Sequence, residues 1–190
     1  MARRKTITRE QILDAAYDLV ATEGFSHFTA RNIANKIGCS TQPIYLEFKN
    51  MAELRDNLFD RIYAYLSNSV YPTRHTGDPI VDLSLNYIKF AKNESRLYRA
   101  LFLEDSGGGS RMNEFSYNYF SNLVRNHETY SHLSEEMIKS LLNGTWIVAT
   151  GIANLAASGS IRPTEEQKIQ LIKDSIQAVL GLDHVINLNY

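Results

Sequence analysis

Between residues 29 and 50 the chain places Ser40, Thr41 and Gln42 side by side, with Arg31, Tyr45 and Lys49 within ten positions of them. Short hydroxyl and amide side chains match the donor and acceptor pattern of base edges in a major groove, whereas arginine, tyrosine and lysine reach phosphates. That chemistry is recognition of a nucleic acid rather than catalysis. It needs a short helix held at its inner face, and Ile44 and Phe48 have the spacing to hold it. Gly38, just before this stretch, ends a preceding short helix, so the two form a helix-turn-helix arrangement.

The elements that must carry this site are helical throughout. Apolar residues recur at helical spacing nearly everywhere, and no convincing run alternates apolar with polar. The first helix follows Thr8, whose hydroxyl caps it while Gln11 reaches back, and Gly24 stops it. A second starts at Thr29 with Ile33, Ala34 and Ile37 inward. Ser40 is expected to cap the third through about Glu47, with Pro43 in its first turn, where a missing N–H costs little. A longer helix spans 51–69. Tyr71–Gly77 reads as the junction of two modules, and Asp78 and Pro79 open the next helix, through about Asn93. Ser95–Glu104 is another, Ser106–Ser110 is a glycine-rich linker, and helices at 111–127, at 134–158 and from Thr164 complete about nine.

The segment Phe28 to Asn50, FTARNIANKIGCSTQPIYLEFKN, closely resembles the DNA-binding motif of the TetR (tetracycline repressor) family of bacterial transcription regulators, and the likeness extends from about Thr8 to Leu58. The resemblance implies an all-α protein: a three-helix helix-turn-helix domain at 1–50, then a helical effector-binding and dimerisation domain at 51–190 with 51–69 as the connecting helix. It further implies that Thr29, Tyr45 and Lys49 contact phosphates and that Arg31, Thr41, Gln42 and Pro43 approach bases. Cys39 stands where the family usually has valine, a place for small buried packing, and Glu47 brings a negative charge close to the groove-facing helix. Members resembling this chain are homodimers that bind a small molecule in the second domain and release a palindromic operator.

Beyond residue 70 the reading rests on side-chain stripes. On a helical wheel, Ala149, Ala153 and Ala156 form a small-residue face that admits another helix, and Ile169, Ile172, Ile176 and Val179 form a stripe on the final helix. Together they are expected to build a four-helix dimer interface. Asn143, Ile147, Thr150 and Asn154 make a third stripe, of which Asn143 and Thr150 are candidate effector contacts. Tyr87, Phe90, Phe102, Phe115, Tyr119 and Trp146 supply an aromatic lining, and Phe59, Ile62 and Leu66 on the connecting helix are expected to feel the ligand and carry its effect towards Lys49.

Composition narrows the alternatives. The formal charge is −1, with 20 Lys+Arg against 21 Asp+Glu, so DNA binding must come from a local patch. Residues 1–50 hold seven basic and five acidic side chains, with Arg3, Arg4, Lys5 and Arg9 crowded at one end. One cysteine permits no intramolecular disulfide, which suits a reducing cytoplasm. The uncharged run Ser140–Ile161 approaches membrane-spanning length, yet its asparagines, threonines and glycines point to a helix buried between protein surfaces. No catalytic constellation, metal cluster or cofactor motif stands out: His127 and His132 lie five apart without a third ligand. The expected partners are a double-stranded inverted-repeat operator, a second copy of the chain and an unidentified small-molecule effector, with no membrane. The alternative is a dimeric DNA-organising or protein-binding module without an effector, in which the aromatics are core alone.

Overall fold

The computed structural model of the chain describes residues 7–104 and 109–188, and these are helical with short connections. The helices are α1 Arg9–Glu23, α2 Ala30–Ile37, α3 Gln42–Glu47, α4 Met51–Tyr65, α5 Pro79–Asn93, α6 Ser95–Phe102, α7 Gly109–Arg125, α8 Glu135–Ala157 and α9 Glu165–Leu180. A 3-10 turn, Phe25–His27, follows α1, and a π-helical turn, Leu66–Val70, continues α4.

Local chemistry sets most boundaries. Thr8 and Gln11, and again Thr164 and Gln167, form reciprocal capping boxes at α1 and α9. Thr29, Asp78 and Ser134 cap α2, α5 and α8 through their side-chain oxygens. Gly38 ends α2 in the left-handed region at φ 78°, which a residue with a Cβ adopts only at a cost. Two starts differ from expectation. Helix α3 has Thr41 rather than Ser40 at its N-cap, with no side-chain cap bond, and Pro43 sits at its second position. Helix α7 begins at Gly109, so Gly109 and Ser110 belong to its first turn, where N–H groups lack intrahelical partners in any case and glycine costs little. The rest of the expected glycine linker, residues 106–108, and the basic Arg3, Arg4 and Lys5 lie outside the described residues.

The chain divides into two compact units: Met1–Ala64 with Arg96–Gly109, and Tyr65–Ser95 with Ser110–Tyr190. Most of α4, which the sequence reading assigns to the second domain, therefore packs in the first unit together with α6. The reason is visible in the core. Leu54, Leu58 and Ile62 of α4 are fully buried, and Phe59 stacks on Phe25 at 5.2 Å between ring centroids. Helix α6 returns to α1, where Arg96 donates to the Thr22 carbonyl at 3.1 Å, satisfying an orphan acceptor of α1's last turn. The Glu104 carboxylate lies 2.9 Å from where a Cβ on Gly24 would be, and Gly24 itself has φ 86°.

In the second unit α8 packs on both α5 and α9. Ile80, Val81, Leu85 and Phe90 of α5, Leu141 and Ile152 of α8, and Ile172 and Ile176 of α9 are buried. The loop before α5 is tied to it. Asn86 donates to the carbonyls of Tyr71 and Thr73 and accepts from His75, so His75 donates from Nε2. Asp82 accepts from the Thr76 hydroxyl and from the N–H groups of Thr76 and Gly77. Residues after α9 are fastened to α8, since Ile186 donates its N–H to Ser140 at 2.8 Å and accepts from the Asn143 amide at 2.9 Å. Gly144 leaves room for this arrangement: a Cβ there would meet Val179 at 2.6 Å and Ile186 at 3.5 Å.

Candidate nucleic-acid interface

The scaffold of the site is the α1–α4 core. Ile33 and Ala34 of α2, Ile44 of α3 and Phe48 just after it are at most 2% exposed, which fixes the backbone of the two short helices. What remains outward is polar. Thr29, Arg31, Ser40, Thr41, Gln42, Tyr45 and Lys49 are all exposed and Pro43 is half-buried, so the eight residues singled out from the sequence share the first unit's surface. Thr29 uses its hydroxyl to accept from the Asn32 N–H, leaving that hydroxyl's hydrogen for an external acceptor.

Two residues matter here that the sequence reading did not assign. Arg9, counted there only as part of a basic cluster, is committed to the fold: it donates to the Glu47 carbonyl, to the Glu53 carboxylate at 3.0 Å and to Asn57 Oδ1 at 3.1 Å, and lies 4.0 Å over the Phe48 ring. It thereby joins α1 to the end of α3 and the start of α4. Glu53 in turn accepts from the Lys49 N–H at 2.7 Å, and this bond, then Arg9, holds its carboxyl below the usual range. The signal was present. A cation one position beyond an N-cap is disfavoured by the helix dipole and calls for a compensating partner. The second residue is Leu46, 76% exposed on α3.

An open groove of about 940 Å³ lies beside α3, bordered by Asp14, Asp18, Lys36, Gln42, Leu46 and Glu47. Cys39 also lines it, half-buried and free. Asp14 and Glu10 are paired with Arg61, so part of the acidic wall of α1 is neutralised within the unit.

The candidate effector residues separate. Phe59 and Ile62 are buried in the first unit and Phe102 is half-buried there, next to Tyr98 at 5.6 Å. Leu66 and Phe90 are core of the second unit. Trp146, Tyr87 and Thr150 do come together: the indole N–H donates to the Tyr87 oxygen at 3.3 Å, which is 3.1 Å from the Thr150 hydroxyl. Phe115 and Tyr119 join a second aromatic group with Tyr71, whose phenol burial pushes well above its usual pKa. Asn143 is spent on Ile186 instead.

The expected dimer stripe needs correction. Ala149, Ala153, Ile172, Ile176 and Val179 are at most 5% exposed within a single chain, because α8, α9 and α5 pack on one another and use up that face. Ala156 and Ile169 are half-buried. Apolar side chains left open on the same two helices are Ile147 (53%), Leu155 (48%) and Leu171 (47%). Leu171 borders a shallow depression of about 490 Å³ with Ile161 and Pro163. No helix among the described residues is long and apolar enough to cross a membrane.

Residues 12–58 match the family model of bacterial regulatory proteins, tetR family. An uncharacterised helix-turn-helix-type transcriptional regulator of Haemophilus influenzae is 28% identical over 111 residues, covering 56% of this chain and 54% of its own, so the match spans about half the length of that relative. Among solved structures, a protein described as a TetR-family transcriptional regulator from Vibrio parahaemolyticus superposes with a TM-score of 0.66 at 17% identity, over 90% of this chain and 97% of that one. SmeT, the repressor of the Stenotrophomonas maltophilia multidrug efflux pump SmeDEF, gives 0.58 at 18% identity, over 90% and 89%.

Proposed function

We propose, from the match of residues 12–58 to the family model of bacterial regulatory proteins, tetR family, that the chain is a DNA-binding transcriptional regulator of that family and a homodimeric repressor which holds an inverted-repeat operator until a small molecule binds its second unit. The observation that carries the DNA half is the joint exposure of Arg31 on α2, Thr41, Gln42 and Tyr45 at and along α3, and Lys49 in the turn that follows it, around helices whose inner residues Ile33, Ala34 and Ile44 are buried. Lys49, Tyr45 and Thr29 hold phosphates; Arg31, Ser40, Thr41, Gln42 and Pro43 face bases. SmeT's repression of an efflux pump supports the repressor sense.

For the effector, Tyr87, Trp146 and Thr150 offer a hydrogen-bonding aromatic group of the kind that orients a small organic molecule. Helix α4, which begins two residues after Lys49 and runs on into the π-helical turn at 66–70, supplies the covalent link from that unit to the phosphate contact. A coupling of about 1–3 kcal/mol through it weakens operator binding roughly 5- to 150-fold.

Selection of duplexes from a random pool tests the proposal. An inverted repeat with half-sites about one helical turn apart is the expected product. Lys49→Ala should weaken all duplexes alike and flatten the salt dependence, whereas Gln42→Ala should lose discrimination at one or two base pairs by roughly 1–3 kcal/mol each. Equal binding to random and selected duplexes refutes the DNA half. Ligands that quench Trp146 fluorescence without changing operator affinity refute the switch, and a broad panel in which none raises the melting temperature refutes the effector.

A further inference from the structure

We infer that Leu46 is a specificity-determining residue that reads the C5-methyl group of a thymine in each operator half-site; the inference rests on the operator-binding reading above and deepens it. Of the large apolar side chains left exposed among the described residues, Leu46 is the most open, at 76%. Its place on α3 explains why the protein does not bury it. Ile44 and Phe48, at 1% each, already provide the inner face. At 100° per residue, Leu46 lies two steps, or about 200°, from each of them, on the side of the helix turned away from the core. Gln42 precedes it by four residues, so the two stand one above the other on the same exposed face.

A leucine there has no hydrogen-bonding group. It cannot hold a phosphate and cannot satisfy the donors and acceptors of adenine, guanine or cytosine in the major groove. The one apolar feature that a base pair presents in that groove is the thymine methyl. With Gln42 able to read an adenine through its amide, the pair would recognise an A·T-containing step by one bidentate contact and one methyl contact.

Duplexes selected by the full chain are resynthesised with each thymine in turn replaced by deoxyuridine, which deletes one methyl and alters no hydrogen-bonding group. Wild-type protein is expected to bind one of these duplexes about fourfold less tightly, the factor for one carbon returned from apolar contact to water. Leu46→Ala should bind that duplex and its thymine parent equally, with the melting temperature and salt dependence of the wild type, because the side chain it removes supports nothing inside the fold. Leu46→Met, which keeps apolar reach, should retain the dependence. Indifference of the wild type to every replacement overturns the assignment, and so does a methyl dependence that survives in Leu46→Ala. A salt slope reduced in Leu46→Ala would also overturn it, since that would mean the helix had moved off its phosphates. Selection that yields no preferred duplex is a different failure: it removes the operator-binding reading itself and this inference with it.

Discussion

If a second copy of the chain covers the outer surface of α8 and α9, the side chains it meets are those still open in a single chain, and their substitution should separate assembly from folding. Ile147 is 53% exposed. Full burial of an isoleucine is worth about 1.5–3 kcal/mol, so covering the exposed half contributes about 1 kcal/mol, and a two-fold axis counts it twice. Ile147→Ala should therefore weaken the dimer by about 2 kcal/mol, roughly thirtyfold in its dissociation constant, and leave the protomer's melting temperature almost unchanged. Ile176→Glu should do the opposite. That residue is 2% exposed inside its own unit, and an unpaired charge there costs about 4 kcal/mol or more, a large part of the stability of an ordinary domain. Analytical ultracentrifugation over a range of concentrations, paired with thermal melts, reads both quantities. A wild-type dissociation constant in Ile147→Ala places the interface elsewhere, and an unchanged melt in Ile176→Glu refutes the packing argument.

Further outcomes follow from other parts of the molecule. Arg9→Met should loosen the α1–α3–α4 junction by about 1–2 kcal/mol, from a cation over Phe48 and hydrogen bonds at a part-buried site, and weaken DNA binding without altering the salt slope; a slope lowered by one phosphate would mean that Arg9 contacts DNA directly. Gly144→Ala forces a Cβ to 2.6 Å from Val179 and should cost about 1–3 kcal/mol in a denaturant melt, whereas Gly151→Ala, with nothing within 4 Å, should be neutral or better. Burial pushes the Asp82 carboxyl up, but its bonds from Thr76 and Gly77 outweigh this and leave it below the usual value. Its stabilisation is complete above the ordinary carboxylate pKa and is lost as pH falls through the lower native one, so Asp82→Asn should flatten the acid limb of a melting-temperature profile; a profile unchanged below pH 4 would show that the carboxylate contributes nothing there.

What the sequence disclosed was what neighbours in the chain decide. Thr8, Thr29, Asp78, Ser134 and Thr164 cap helices through atoms two or three residues away; Thr8 and Asp78 were legible as caps, and Thr29, Ser134 and Thr164 as the places where helices start. Ser40 was chosen over Thr41 because both are competent caps and the difference lies in backbone geometry, not residue type. The alanine and isoleucine stripes of α8 and α9 were correctly seen as faces to be covered. A helical wheel does not say by what, however, and here α5, α8 and α9 of the same chain cover them. The same limit explains the aromatics. Nothing local distinguishes Phe59, which stacks on Phe25 in the first unit, from Trp146, which donates to Tyr87 in the second. Arg9 and Leu46 were missed for opposite reasons: one is a charge that turned inward and the other an apolar group that stayed out.

The return of α6 to the DNA-binding unit has a consequence for synthesis. That unit is discontinuous in the chain, closed by residues 96–104 after an excursion of 31 residues through the other unit. Arg96 and Thr22 are 74 positions apart, so the acceptor at the end of α1 waits for its donor until all of α5 has been made. A nascent chain carrying only α1 to α4 would own every DNA-facing side chain but not the element that seals the end of α1. On the ribosome, then, the end of α1 stays without this donor until residue 96 has been made, so the first unit closes only after part of the second has been synthesised.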